Sequence, residues 1–154
     1  MSRYFEKISF EQFQRDISEN KDLYLDYRMP KRETMYAAGY DFYAIEGFEI
    51  KPGEIKKIPT GIKVNMESDE VLFLIDRSSM GFKHNVRLTN QVGVVDKDYY
   101  NNQDNEGHIW VSLQNEGHKT YVVNKGDAFC QGVFMKYLKV DNEKDNFVDR
   151  TSSY

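Results

Sequence analysis

At 154 residues the chain has the length of one domain with a sizeable core, and its 21 basic against 25 acidic residues, a formal net charge of -4, argue against a general affinity for nucleic-acid phosphates. No apolar run reaches the length of a membrane helix, and no apolar h-region follows residues 1–7, so neither membrane association nor a secretory signal is expected. Cys130 is the single cysteine, which excludes an intrachain disulfide and makes a reducing, cytoplasmic setting the simplest reading.

The first predicted element is a helix from Ser9 to Asn20. Ser9 and Gln12 have capping-box spacing, and Phe10, Phe13 and Ile17 follow on one face at helical period. Such a stripe packs on a sheet or on a neighbouring subunit. Past Leu23 the chain reads as strands and turns, and its eleven Tyr and ten Phe suit pleated surfaces. Asp41 to Ile45 alternates. Two extended pieces flank Pro59 between Glu54 and Val64, after a turn at Pro52-Gly53. Val71 to Ile75 is a continuous apolar run, as in a strand buried on both faces. His108 to Leu113 alternates again, and Tyr121 to Val123 and Val133 to Leu138 follow with Asn124-Lys125-Gly126-Asp127 as a turn between them. Short strands and turns at these intervals predict an all-β antiparallel sandwich or barrel. The stretch from Asp141 to Tyr154 is polar, carries both charges, and is expected to be mobile or draped over another surface. The resulting division is a helical extension over 1–22, a β domain over 23–140 and a flexible C-terminal arm over 141–154.

Four clusters carry candidate chemistry. In Ala37-Ala38-Gly39-Tyr40-Asp41, small residues let the backbone pass close to a neighbour while Asp41 points at it, although an ordinary strand entry has the same pattern. Asp76-Arg77-Ser78-Ser79-Met80-Gly81 offers a cation, two hydroxyls and free N–H groups, a plausible anion cradle, against a plain turn with a salt bridge. Asn90 to Tyr99 reads as an apolar strand, a glycine, a second apolar strand, then Asp96 with an aromatic ring three residues on. A carboxylate there can orient and deprotonate a water while Tyr99 covers an apolar ligand face; the bland reading is a hairpin closed by an Asp and a Tyr. Gly126-Asp127-Ala128-Phe129-Cys130-Gln131-Gly132 places one amide, Gln131, in an apolar strand, where a ligand or neighbouring backbone must satisfy it.

Other features point away from chemistry. His84, His108 and His118 lack metal-ligand spacing. Cys130 reads as core. Ser78 and Ser79 have no evident His-Asp pair for covalent catalysis. The run from Asn101 to Gly107 reads as a solvated polar loop without EF-hand order.

In this order and spacing the clusters resemble the trimeric dUTPase family (deoxyuridine 5′-triphosphate nucleotidohydrolases). The family's Ala-Gly-x-Asp, Arg-Ser-Ser/Gly, Asn-x-x-Gly-x-Ile-Asp-x-x-Tyr and Gly-Asp/Glu-x-x-x-Gln motifs stand here as Ala38-Gly39-Tyr40-Asp41, Arg77-Ser78-Ser79, Asn90 to Tyr99, and Gly126-Asp127 to Gln131. The N-terminal helix and the loop between Tyr99 and His108 look like the longer bacterial and phage form. The resemblance implies a distorted antiparallel β-barrel or jelly roll with a short N-terminal helix, and a homotrimer with active sites between subunits. It implies hydrolysis of dUTP to dUMP and pyrophosphate, with Mg2+ held by the triphosphate and water and not by a direct protein ligand. By position, Asp96 would activate the attacking water and Asp41 would support the catalytic cluster. Tyr99 would lie under the deoxyribose and exclude a 2′-hydroxyl. Asn90 and the backbone of Gly93, Val94, Val95 and Asp96 would read the uracil edge. Arg77, Ser78 and Ser79 would hold phosphate oxygens, and Gln131 a phosphate or the water.

Two departures stand out. The family usually carries Arg where this chain has Ala128. Its closing arm, Arg-x-Gly-Gly-Phe-Gly-Ser-Thr-Gly, is matched only by Arg150 and Tyr154, with serines at both glycine positions and the last four positions missing, which reads as a shortened arm. Serine resists the positive φ that glycine adopts, so this arm is expected to close differently. Two alternatives follow: a weakly active or non-catalytic nucleotide-sensing relative, and a dCTP deaminase of the same subunit fold. The deaminase needs a glutamate where Ser112 stands in Trp110-Val111-Ser112-Leu113-Gln114-Asn115, and without that carboxylate the proton shuttle is lost.

Overall fold

The computed structural model describes residues 2–152 and Tyr154; Ser153, one of the two serines at the arm's glycine positions, lies outside the described residues. Its named strands are β1 (Tyr4–Lys7), β2 (Tyr40–Tyr43), β3 (Phe48–Ile50), β4 (Ile55–Pro59), β5 (Ile62–Asn65), β6 (Glu70–Ile75), β7 (Val86–Leu88), β8 (Gly93–Asp96), β9 (Trp110–Asn115), β10 (Tyr121–Val123) and β11 (Ala128–Lys136). They form four antiparallel sheets in the orders β1-β5, β10-β3, β2-β11-β6-β8 and β4-β9-β7. The expected all-β antiparallel architecture is present, divided into small sheets that enclose one apolar core. Among the described residues no helix is long and apolar enough to cross a membrane.

Burial follows local pattern. In β6, Val71, Leu72 and Leu74 are buried, because the strand runs between β8 and β11 inside its sheet. In β9, Val111, Leu113 and Asn115 face inward while Trp110, Ser112 and Gln114 are partly exposed, the alternation expected of a half-buried strand. The alternation expected over Asp41 to Ile45 is absent: all five residues are buried.

The helical reading needs correction. One helix over Ser9 to Asn20 becomes two, α1 (Phe10–Asp16) and α2 (Lys21–Asp26). Ile17 leaves helical geometry at φ -128°, and Asn20 begins the second helix by accepting from the N–H groups of Asp22 and Leu23. A short polar side chain favours such a start, because it satisfies donors that the first turn leaves free. Only half of the capping box forms. Ser9 Oγ accepts from the Gln12 N–H, but the Gln12 amide donates to Asp16 and the Ser9 N–H donates to Glu106. A third helix, α3 (Ser78–His84), also escaped the sequence pattern, since Ser-Ser and Gly81 read locally as a turn. Buried Met80 anchors it, and Asn85 closes it in the left-handed region.

The N-terminal segment is woven into the core. Strand β1 pairs along β5, and Phe13 is fully buried against Tyr24 and Tyr27. Gly61, at φ +72°, lets the chain turn beneath the Tyr27 ring, where a Cβ would lie 2.7 Å from ring carbons.

Candidate active site

Two polar clusters form at different places on the β2-β11-β6-β8 sheet. In the first, register sets Gln131 of β11 opposite Asp41 of β2 and Ile75 of β6. Arg77 follows β6, and its Nε donates to Asp41 Oδ1 over 3.1 Å. The Asp41 side chain is largely buried and requires such a partner, whereas about a third of the Arg77 side chain faces solvent, 36%. Ser78 is exposed and Ser79 partly so, both in the first turn of α3. The cluster therefore offers an incoming anion part of a guanidinium and two hydroxyls.

Gln131 finds its partner in the backbone, donating from Nε2 to the Asp76 carbonyl at 2.7 Å. Its side chain fills the space beside Gly39, where an added Cβ would sit 2.0 Å from Gln131 Oε1. The close approach read from Ala37-Ala38-Gly39 is thus to Gln131. Asp76 accepts the Leu88 N–H at 3.0 Å, and burial raises its carboxyl above the ordinary carboxylate range despite that bond.

The second cluster lies at the end of β8. Gly93 and Val95 are buried and Val94 is exposed, so the strand does deliver Asp96 to an edge, with 45% of its side chain accessible. The expected strand over Asn90 to Val92 is a turn instead, with Gln91 left-handed at φ 66° and the Val92 N–H donating to the Asn90 carbonyl. A cavity of about 310 Å³ opens here between the turn and Asp96, with Tyr99, Arg150 and Tyr154 on its wall. Arg150 forms ion pairs with Asp96 and, through Nε at 2.8 Å, with Asp98. The Tyr154 ring stands edge-on to Tyr99, centroids 5.7 Å apart. The C-terminal arm of the chain thus lies across its own Asp96 cavity.

Beyond Tyr154 a neighbouring cavity of about 360 Å³ is lined by Lys57, Thr89, Trp110 and Ser112. Lys57, Thr89 and Trp110 carried no functional signal in the sequence, and Ser112 only a negative one. They meet because β4 pairs with β9, setting Lys57 opposite Ser112 and Pro59 opposite Trp110. Ser112 Oγ donates to Thr89 Oγ1 at 3.0 Å.

The polar run from Asn101 to Gly107 is a loop, as expected, with Asn101, Gln103 and Asp104 exposed, but its other residues fold it into a clamp. Asn102 is buried, donates to the Tyr99 carbonyl at 2.7 Å and accepts from the N–H groups of Asp104 and Asn105. Lys63 reaches in from β5 to Asn101 and Glu106 at 2.7 and 2.9 Å. Burial opposes ionisation of Glu106, yet its bonds to Lys63 and Ser9 hold its carboxyl below the ordinary range.

His108 ends the clamp, fully buried. Its Nε2 accepts the Gly61 N–H at 2.9 Å, so Nδ1 carries the proton and donates to Asp16 at 2.6 Å. Burial lowers the imidazole pKa against the opposing pull of Asp16. Protonating Nε2 would set two N–H donors against each other. The unfolded chain binds this proton from about pH 6.5 downward, while the folded chain resists it. Stability is therefore complete above that pH and falls as pH drops toward the folded pKa. Urea unfolding at pH 7.5 and 5.5 should give a lower midpoint at pH 5.5, and the difference should shrink in His108→Gln. An equal difference in the variant would assign the effect to other groups.

Asp96 and Gln131 do not meet within one chain. Gln131 lies opposite Ile75, whereas Asp96 lies opposite Val71 on the other side of β6. Four residues of strand separate these levels by roughly 13 Å, and β6 intervenes. Asp41, Arg77, Ser78, Ser79 and Gln131 lie at one end of this sheet and Asp96, Tyr99, Arg150 and Tyr154 at the other, with Asn90, Gly93, Val94 and Val95 running between the two levels, since Gly93 lies opposite Leu74.

Comparison with known proteins places this geometry in context. A family model described as dUTPase matches residues 26–154. The deoxyuridine 5′-triphosphate nucleotidohydrolase of Lactococcus lactis subsp. lactis (strain IL1403) is 49% identical over 117 residues, covering 76% of this chain and 78% of that protein. The crystal structure of a dUTPase from Streptococcus mutans superposes with a TM-score of 0.72 at 43% identity, covering 90% of this chain and 98% of that one. The dUTPase of phage phi11 of S. aureus, at 19% identity and a TM-score of 0.69 over both full chains, shares the fold.

Proposed function

The chain belongs to the dUTPase family and is a dUTP hydrolase, and from that premise we propose that Asp96 directs a water molecule at the α-phosphorus, giving dUMP and pyrophosphate. The observation that carries this reading is the setting of Asp96: a half-accessible carboxylate at a strand end, on the wall of a cavity of about 310 Å³ that Tyr99 also lines. An ordinary carboxylate is a weak base near neutrality, so placement of the water supplies much of the effect.

In this reading the Asn90 turn and the backbone from Gly93 to Asp96 take the uracil edge. Arg77, Ser78 and Ser79 take the phosphates, steadied by Asp41, and Gln131 stands beside them. Because Asp96 lies far from Arg77 and Gln131 in one chain, a second copy is taken to bring its own phosphate-binding group to the Asp96 end of the site. That supports sites between subunits, in this reading those of a homotrimer. Arg150 and Tyr154 belong to the ligand-facing set. They line the Asp96 cavity, where Arg150 pairs with Asp96 itself.

A Mg2+ ion fits this site as a companion of the substrate. Among the described residues no group of three His, Cys, Asp or Glu side chains converges, so triphosphate oxygens and water would hold it. When bound, it neutralises charge on the leaving pyrophosphate.

The decisive assay is pyrophosphate release from dUTP beside dTTP, dCTP and UTP. Release from dUTP alone is expected. Binding of dUTP without release would assign the chain to nucleotide sensing. Ammonia release from dCTP would assign it to deamination, against the absence of a carboxylate at Ser112.

A further inference from the structure

We propose that Asn105 is a positioning residue for Tyr99, holding the ring so that the site rejects a ribose 2′-hydroxyl; this rests on the nucleotide reading of the Asp96 cavity. Tyr99 is only 7% exposed, and its hydroxyl is committed twice, donating to the His108 carbonyl at 3.0 Å and receiving Asn105 Nδ2 at 2.5 Å. Both partners belong to the clamp. What Tyr99 turns toward the cavity is therefore ring carbon, with no free polar atom. A 2′-hydroxyl laid against it would lose water and gain no partner.

Asn105 is built to hold this position. Its Oδ1 accepts from the Gly107 N–H at 3.1 Å and from Asn102 Nδ2 at 2.9 Å, which orients Nδ2 toward Tyr99. The second anchor is rigid as well, because the His108 ring is pinned between Asp16 and Gly61. The arm joins the same network: Asn105 Nδ2 lies 3.2 Å from Ser152 Oγ, and the Ser152 N–H donates to Asp104 at 2.8 Å. Without the Asn105 donor, the Tyr99 hydroxyl keeps its bond to the His108 carbonyl but loses its shortest contact. The ring can then pivot, and its oxygen becomes available to a ligand.

The test is the selectivity ratio, kcat/KM for dUTP over kcat/KM for UTP. Asn105→Ala removes the donor and leaves no new acceptor for the Tyr99 hydroxyl, whereas Asn105→Asp keeps the size and offers a carboxylate oxygen to which the Tyr99 O–H can itself donate. Losing one neutral hydrogen bond should lower the ratio about 3- to 10-fold in Asn105→Ala, and Asn105→Asp should restore part of it. Tyr99→Phe should lower it too. In the Tyr99→Phe background, Asn105→Ala should then change the ratio no further, because its partner atom is gone. A merely structural role would lower both substrates together and leave the ratio unmoved. An unchanged ratio in Asn105→Ala, or effects that add in the double variant, would overturn the proposal. The relative affinity for dUDP over UDP, measured by calorimetry on the same variants, reads the same discrimination without turnover. A chain that hydrolyses nothing yet loses this preference in Asn105→Ala would sink the catalytic reading and keep the positioning one.

Discussion

Asp96→Asn is expected to lower kcat for dUTP by about 10² to 10⁴, the usual worth of a positioned general base, while dUTP binding changes little. Asparagine has nearly the shape of aspartate and keeps an oxygen that can face a water. It loses the charge and the capacity to take a proton. The residue lies at the end of β8 with buried Val95 behind it, so the exchange disturbs no core packing. Arg150 keeps its partner Asp98, which holds the arm near the site in the variant. Single-turnover pyrophosphate release measures the chemical step, and calorimetry with a non-hydrolysable dUTP analogue measures binding. Turnover within a few-fold of the parent would remove Asp96 from the reaction.

Phe13→Ala should destabilise the folded chain by about 3–5 kcal/mol, the range for emptying a buried aromatic site. Phe13 is fully buried, stacked at 5.8 Å on Tyr27 with an interplanar angle of 7° and edge-on to Tyr24 at 5.1 Å. Helix α1 spans only seven residues, too few to hold its shape unaided. Loss of the Phe13 anchor therefore loosens Asp16, and Asp16 is the partner that pins His108. The damage should extend to the clamp around Tyr99 and lower dUTP selectivity as well as stability. Urea unfolding with an unchanged m-value would report the stability loss cleanly. A shift below about 1 kcal/mol, the scale of a surface change, would show α1 to be peripheral.

Much of the proposed site was legible because its signals are local. Asp96 after two valines, Arg77 before two serines, and Asp41 after Gly39 each declare their chemistry within a few residues. The β6 run announces its central place in the same way. Elements whose stability comes from distant contacts gave weaker signals. Helix α3 exists because Met80 is buried, and the polar stretch from Asn101 to Gly107 is held as well by Lys63 and Ser9, which reach it from other parts of the chain. Lys57 and Trp110 were invisible as pocket residues, since their place depends on the pairing of β4 with β9.

The amino-acid order by itself determined which groups could do chemistry here, the β-rich class, and the family, because residue type and short-range spacing are properties of neighbours along the chain. Only the tertiary structure decided that Gln131 and Asp96 lie apart on one sheet, that Arg150 of the arm pairs with Asp96, and that Asn105 donates to the Tyr99 hydroxyl. Those facts depend on strand register and burial, which couple residues tens of positions apart and leave no trace in local sequence.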